Sequence, residues 1–218
     1  MTKRSGVILA GGLNRRMGGQ SKALLKYEGR TFLARQLTEL GSACSELILV
    51  TQEPERYEEE LRTVDVVHHI RVIPDLQPGK GPLAGLQAAM GAAANDELWV
   101  VGCDMPSVSS RAAEAMSRLR RDLDGDAVIA RLHGRLHPLH GLYHRRCLQT
   151  VERLLAEEDY RMMRLIGELH VQEVDDSFFE RQGIPTDFTR NINNPDEYNK
   201  LLNLGSRYFL WDNDSKPN

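Results

Sequence analysis

Apolar residues recur along this chain in two rhythms. Continuous runs at 6–10 (GVILA), 46–50 (ELILV) and 98–101 (LWVV) carry bulky or β-branched side chains without polar interruption. Such runs are the pattern of strands covered on both faces. The stretches 66–73 (VVHHIRVI), 126–130 (DAVIA) and 171–180 predict further strands, the last with irregular chain beside it.

The second rhythm is helical. TFLARQLTEL (31–40) puts Phe32, Leu33, Leu37 and Leu40 on one face and stops at Gly41, a good residue just past a helix end. Residues 54–61 predict a short charged helix with Pro54 in its first turn, and 82–94 an Ala-rich helix opened by Pro82 and closed near Asn95. Helical spacing returns at 109–121 and 145–157, and at 195–202 with Asn193 or Asn194 as cap.

Strands alternating with helices over 6–130 predict an α/β fold with a mostly parallel sheet and right-handed crossovers. In such sheets ligands bind at the loops beyond the carboxyl ends of the strands. The loop at 10–22, the loop at 74–82 and Cys103-Asp104-Met105-Pro106 each follow a strand end, so they are expected to meet in space. One domain over 1–203 takes in all these elements, and 204–218 reads as a tail anchored by Phe209 and Trp211.

The 218 residues are 41% hydrophobic and 27% charged, which is ordinary for a globular protein. A net charge of −3 gives no reason to expect nucleic-acid binding. Residues 1–35 are lopsided, however: Lys3, Arg4, Arg15, Arg16, Lys22, Lys26, Arg30 and Arg35 face Glu28 alone. A local cationic rim of this kind suits a small anionic ligand. Cys44, Cys103 and Cys147 are scattered and in no CxxC spacing, which argues against a disulfide scaffold or a Cys-based zinc site. The apolar run near the start is too short for a signal segment, and no stretch approaches the ~20 apolar residues of a membrane span. A cytoplasmic protein without membrane partners is expected.

The loop LAGGLNRRMGGQSK (9–22) combines four glycines with Arg15, Arg16 and Lys22. Glycine-rich turns after a strand expose backbone N–H groups that cradle phosphates. Two phosphate-loop types are excluded: Lys22 is too far past Gly19 and is followed by Ala23, against the Walker pattern, and no GxGxxG occurs. Asp104, just past a strand, suits Mg²⁺ shared with phosphate oxygens, or else caps a turn. Asp75 suits a base or ribose, or caps its own loop. His133, His137, His140 and His144 would line one face of a helix, but the two glycines and Pro138 among them argue against a helix and against a metal site. They read as surface or substrate-loop histidines.

Five segments resemble one family. LAGGLNRRMGGQSK is similar to the LAGGxxxRMGxxK signature of nucleotidyltransferases, specifically the molybdenum cofactor guanylyltransferase (MobA) family. DLQPGKGPLAGL (75–86), GCDMP (102–106), PLHGLY (138–143) and NINNPDEY (191–198) resemble further segments of that family in the same order. The resemblance implies a Rossmann-like three-layer sandwich that joins GMP from GTP to the molybdopterin form of molybdenum cofactor and releases pyrophosphate. It implies that Leu9, Ala10, Gly11, Gly12, Lys22, Asp75 and Asp104 bind GTP and that Asp104 holds Mg²⁺. On the same resemblance Arg16 and Lys22 face the leaving pyrophosphate, and Asn191 and Asn193 lie on the pterin-phosphate side. Proteins that deliver and accept the cofactor are implied as partners. Three departures stand out: Asn194 replaces a usual Thr, Lys26 an apolar or Pro residue, and Thr51-Gln52-Glu53 lacks the Asn expected near the base. Two other readings remain open, a cytidylyl- or sugar-phosphate nucleotidyltransferase and a non-catalytic nucleotide-binding module. Gly12 favours guanine, since cytidylyl relatives tend to read LAAG there.

Overall fold

The computed structural model describes residues 3–12, 21–66 and 68–211, with side chains as far as residue 204. Arg15 and Arg16 lie outside the described residues, as do the side chains of Phe209 and Trp211. The chain opens with strand β1 (Ser5–Leu9). Beyond the glycine-rich loop come a 3₁₀ turn at Lys22–Leu24 and a small hairpin, β2 (Lys26–Tyr27) and β3 (Arg30–Thr31). Glu28 and Gly29 both have positive φ at its turn, which matches the right-handed twist of a hairpin. Helix α1 (Phe32–Ala43) follows, its first N–H groups capped by the Thr31 hydroxyl. Next are β4 (Glu46–Val50), α2 (Glu58–Thr63), β5 (Ile70–Ile73), α3 (Pro82–Ala92), β6 (Glu97–Gly102), α4 (Ser110–Leu123) and β7 (Ala127–Leu132). The remainder is β8 (Arg135–His144), α5 (Leu148–Ala156), α6 (Met162–Glu168), β9 (Val171–Asp175), α7 (Asp176–Glu180) and α8 (Pro195–Trp211).

The seven-stranded sheet runs β5-β4-β1-β6-β8-β7-β9, and only β8 is antiparallel to its neighbours. Side-chain alternation explains the unbroken apolar runs. Ile8, Trp99 and Val101 face a core with α1 and α4, while Val7, Leu9, Leu98 and Val100 face a second core with α3, α5 and α6. Helices therefore cover both faces, giving the expected three-layer α/β sandwich.

Four expectations change. Gly41 does not end α1, which continues to Ala43 and packs Gly41 near Val66. The histidine-rich stretch is a strand: β8 inserts between β6 and β7, and its register against β7 shifts between Ile129 and Ala130. The chain between His137 and Gly141 bulges there, which accommodates Pro138 in an interior strand. His140 is consequently fully buried, not at the surface; its Nε2 accepts from the Ser109 N–H (3.3 Å) while its ring packs on Trp99 and Phe188. Arg4, counted with the cationic rim, is buried at the opposite end of the sheet beside Glu97. Finally, α8 passes the expected end at Leu202 and runs to Trp211. Asn194 is its cap: the side chain accepts from the Glu197 N–H (2.9 Å), and Glu197 returns to the Asn193 N–H (2.6 Å).

Candidate active site at the β1–β6 switch point

The chain winds from β1 outward through β4 to β5, then crosses back to place β6 on the other side of β1. That reversal sends α1 and α3 to opposite faces and leaves a crevice beyond the carboxyl ends of β1 and β6. A cleft of about 370 Å³ occupies it. Its wall includes Leu9, Gly11, Gly12, Lys22, Asp75, Gly81, Pro82 and Gly85 at the start of α3, Gly102 to Asp104, and Leu139 of β8. The described parts of the three loops expected to meet do so: Gly11, Gly12 and Lys22, then Asp75 and Gly81, then Cys103 and Asp104. Ala10 lies buried below, its N–H donating to the Val50 carbonyl (2.8 Å).

Asp104 stands two residues past the end of β6. A Cβ on Gly102 would lie 2.8 Å from Asp104 Oδ1, so glycine is required for the carboxylate to fold back over the strand end. Lys22 Nζ lies 3.6 Å from Asp104 Oδ2 and donates to Asn193 Oδ1 at 2.8 Å. Burial pushes the Asp104 carboxyl above its ordinary range, more than the neighbouring ammonium pulls it down. The first and last parts of the chain meet here because α8 is tied to the hairpin. Tyr198 donates to the Lys26 carbonyl (2.6 Å) and packs edge-on against Phe32. The Ile192 N–H donates to the Asp104 carbonyl (2.9 Å), which joins the Asn191–Asn193 segment directly to the metal candidate.

Asp75 lines the same cleft from the loop after β5. Its Oδ1 accepts from the Gln77 N–H (2.9 Å), and its Oδ2 would sit 3.3 Å from a Cβ on Gly11. Burial raises its pKa in spite of that N–H. Gln52 donates to the Asp75 carbonyl, which brings the segment after β4 to the same wall. Helix α3 opens into the cleft with Pro82 at its first position and no side-chain cap on Gly81, so its first N–H groups and positive dipole end face the space.

Lys22, Asp75, Asp104, Leu9, Gly11 and Gly12 thus line one cleft, with Asn193 on Lys22. Asn191 is exposed beside it. The four histidines do not converge, and no group of three or more potential metal ligands exists among the described residues. Asp104 offers a single half-shielded carboxylate with a depressed acidity. That donor set fits Mg²⁺, which takes one or two carboxylates and completes its shell with substrate phosphates and water. Sequence reasoning missed Gln36, whose Nε2 donates to both the Gly102 and Met105 carbonyls at 2.8 Å. A lone amide on the apolar face of α1 was the available signal. It also missed Leu139, because the strand carrying it was not recognised.

No helix among the described residues is long and apolar enough to cross a membrane. The chain is 32% identical to a probable molybdenum cofactor guanylyltransferase from Geobacillus sp. (strain WCH70), over 93% of this chain and 100% of that one. It is 29% identical to a protein of the same description from Clostridium perfringens (strain 13), over 93% and 98%. Among solved structures, molybdopterin-guanine dinucleotide biosynthesis protein A from Archaeoglobus fulgidus superimposes with a TM-score of 0.77 at 22% identity, over 93% of this chain and 99% of that one. The structure of 4-diphosphocytidyl-2C-methyl-D-erythritol synthase from Anaerococcus prevotii shares the fold at a TM-score of 0.66 and 13% identity, over 96% and 99%. The sequence profile of the MobA-like NTP transferase domain matches residues 6–174, from β1 into β9, and the chain belongs to that family.

Proposed function

We propose that this protein transfers GMP from GTP to molybdopterin-type molybdenum cofactor, forming the guanine dinucleotide cofactor and releasing pyrophosphate. The observation that carries the reading is the cleft itself. Lys22, Asp75 and Asp104, far apart in sequence, line the crevice where this sheet topology binds nucleotides. The 32% identity with a probable molybdenum cofactor guanylyltransferase supports the acceptor and the nucleotide.

In the reaction an ionised phosphate-monoester oxygen of the pterin attacks the α-phosphorus of GTP. A new P–O–P linkage forms, the bond from the α-phosphorus to the oxygen bridging to the β-phosphate breaks, and pyrophosphate leaves with the electron pair. Both reactants are anions, so the work of the protein is positioning and charge compensation. Gly11 and Gly12 let the triphosphate approach the backbone, and the open N-terminus of α3 faces the same space. Lys22, oriented by Asn193, offsets charge on the departing pyrophosphate, a task shared with Arg16 of the glycine-rich loop. Asp75 and the Gln52 segment border the space for the guanosine. Asp104 would hold Mg²⁺, which when bound would supply charge neutralisation to the triphosphate. The attacking phosphate is already ionised near neutral pH, so no protein base is needed. Asn193, which accepts from Lys22, and the exposed Asn191 two residues before it border the acceptor.

Pyrophosphate release with Mg²⁺, molybdopterin and each of GTP, CTP and ATP tests the reading. Release with GTP alone, dependent on the pterin, is expected. Release with CTP alone would convert the protein into a cytidylyltransferase, and nucleotide binding without release under any pairing would leave a non-catalytic module.

A further inference from the structure

Helix α1 grips the turn that carries Asp104 at successive positions. Gln36 Nε2 donates to the carbonyls of Gly102 and Met105, 2.8 Å each, and so spans the turn on both sides of Asp104. Arg35 Nε donates to the Pro106 carbonyl (3.1 Å), and Glu39 accepts the Ser110 N–H (2.7 Å) where α4 begins. Gln36 is fully buried, and its Oε1 has no hydrogen-bond partner among the described residues. An apolar residue would suit the face it shares with Leu33, Leu37 and Leu40, so its retention there is explained by the two carbonyls it holds.

From this geometry we infer that Gln36 is a positioning residue for metal-assisted nucleotide binding: by holding the Gly102 and Met105 carbonyls it fixes the peptide frame from which Asp104 reaches the metal on the triphosphate. The inference rests on the proposed function and adds to it a residue that touches neither substrate nor metal. Without the amide, the Met105 carbonyl loses its donor and the Gly102 carbonyl keeps the Met105 N–H alone (3.3 Å), so the turn is held only through the backbone bonds of Cys103 to Leu9 and of Ile192 to Asp104. The Asp104 side chain is then held less firmly in the position that Gly102 makes available, while Lys22 and Asp75 stay in place.

The test compares GTP dissociation constants measured by calorimetry with Mg²⁺ and with EDTA, in the wild type, Gln36→Met and a core control, Leu37→Val. Met keeps the length and apolar shape without donors. The wild type should bind GTP at least tenfold more tightly with Mg²⁺. Gln36→Met should retain the EDTA value within threefold and lose the metal-dependent gain, with kcat at least tenfold lower. Leu37→Val should keep the gain even where its Tm falls as far. An undiminished gain in Gln36→Met, or its loss in both variants alike, overturns the inference and leaves Gln36 a structural donor. Absence of any gain in the wild type overturns the metal assignment itself, and the inference with it. If Gln36→Met does not fold, Gln36→Leu, which likewise has no donor, replaces it; failure of both to fold also overturns the inference.

Discussion

Glu97 and Asp104 sit at the two ends of one strand, the first residue of β6 and the second residue beyond it, and both carboxylates are taken largely out of water. Their surroundings differ in one respect. Glu97 receives Arg4 Nε at 2.8 Å, Arg120 Nε at 2.7 Å and the Ser117 hydroxyl. Burial opposes its ionisation, but these three donors outweigh that cost and hold its pKa below the usual carboxylate range. Asp104 has Lys22 at 3.6 Å as its charged neighbour, and there burial wins and the pKa rises. Asp75, on the same rim, is also raised. One end of the sheet is finished by its own residues; the other keeps carboxylates whose pKa values stay raised and an uncapped helix N-terminus, all lining the cleft. Under-compensated polar groups at a cleft are where binding energy is available.

The largest expected break in this comparison is at Asp104. Asp104→Asn should lower kcat about 10³-fold, roughly 4 kcal/mol of lost transition-state stabilisation. It should leave the Tm at pH 7 unchanged or higher, because a carboxyl with a raised folded pKa destabilises the fold as it ionises. Steady-state kinetics with thermal melts checks both signs; a large drop in Tm would contradict the contrast.

At the other end the signs reverse. Glu97→Ala leaves Arg120 buried without its carboxylate and Arg4 with Glu114 alone (3.2 Å), and should cost about 3–5 kcal/mol in denaturant unfolding. The folded fraction should turn over near the wild-type rate. A depressed folded pKa also means that the contribution of Glu97 is complete above the unfolded value near 4.3 and is lost as pH falls through the folded value.

His140 sharpens the acid side of the picture. Burial lowers its pKa to about 3, so the folded state excludes a proton that the unfolded chain takes up below about 6.5. Stability should fall by up to about 1.4 kcal/mol per pH unit below that point. His140→Gln keeps an acceptor for the Ser109 N–H and should flatten the slope between pH 6.5 and 4; an unchanged slope would assign it to other groups.

The smallest effect expected is at Asn193. Asn193→Ala removes the acceptor that orients Lys22 and should lower kcat about tenfold, a single charge-assisted hydrogen bond. Lys22→Ala should lose more, and a reversed order would contradict the assignment of Asn193 as its support.

Much of this architecture was legible in the chain. The continuous runs at 46–50 and 98–101 mark strands because both faces of the sheet are covered, and α/β alternation placed three loops on one rim before any contact was known. What escaped notice has a common cause in contacts distant in sequence. The strand β8 carries Pro138 and Gly141 across a bulge, so its local composition argues against the state its neighbours impose. Arg4 reads as part of a phosphate-seeking cluster until Glu97, across the sheet, is seen to hold it. Gly41 carries the local signal of a helix end, yet α1 runs past it to Ala43 and closes with the Cys44 N–H on the Leu40 carbonyl. Gln36 is visible in sequence only as an exception to an apolar face; its meaning comes from the turn after β6. The role of Arg16, read from the signature alone, concerns a residue outside those described.

The most direct test of the central claim is mass-spectrometric detection of the guanine dinucleotide cofactor from GTP, Mg²⁺ and molybdopterin, with wild type and Asp104→Asn side by side. The account predicts product and equimolar pyrophosphate from the wild type and a rate about a thousandfold lower from the variant. Equal rates from the two proteins would contradict it.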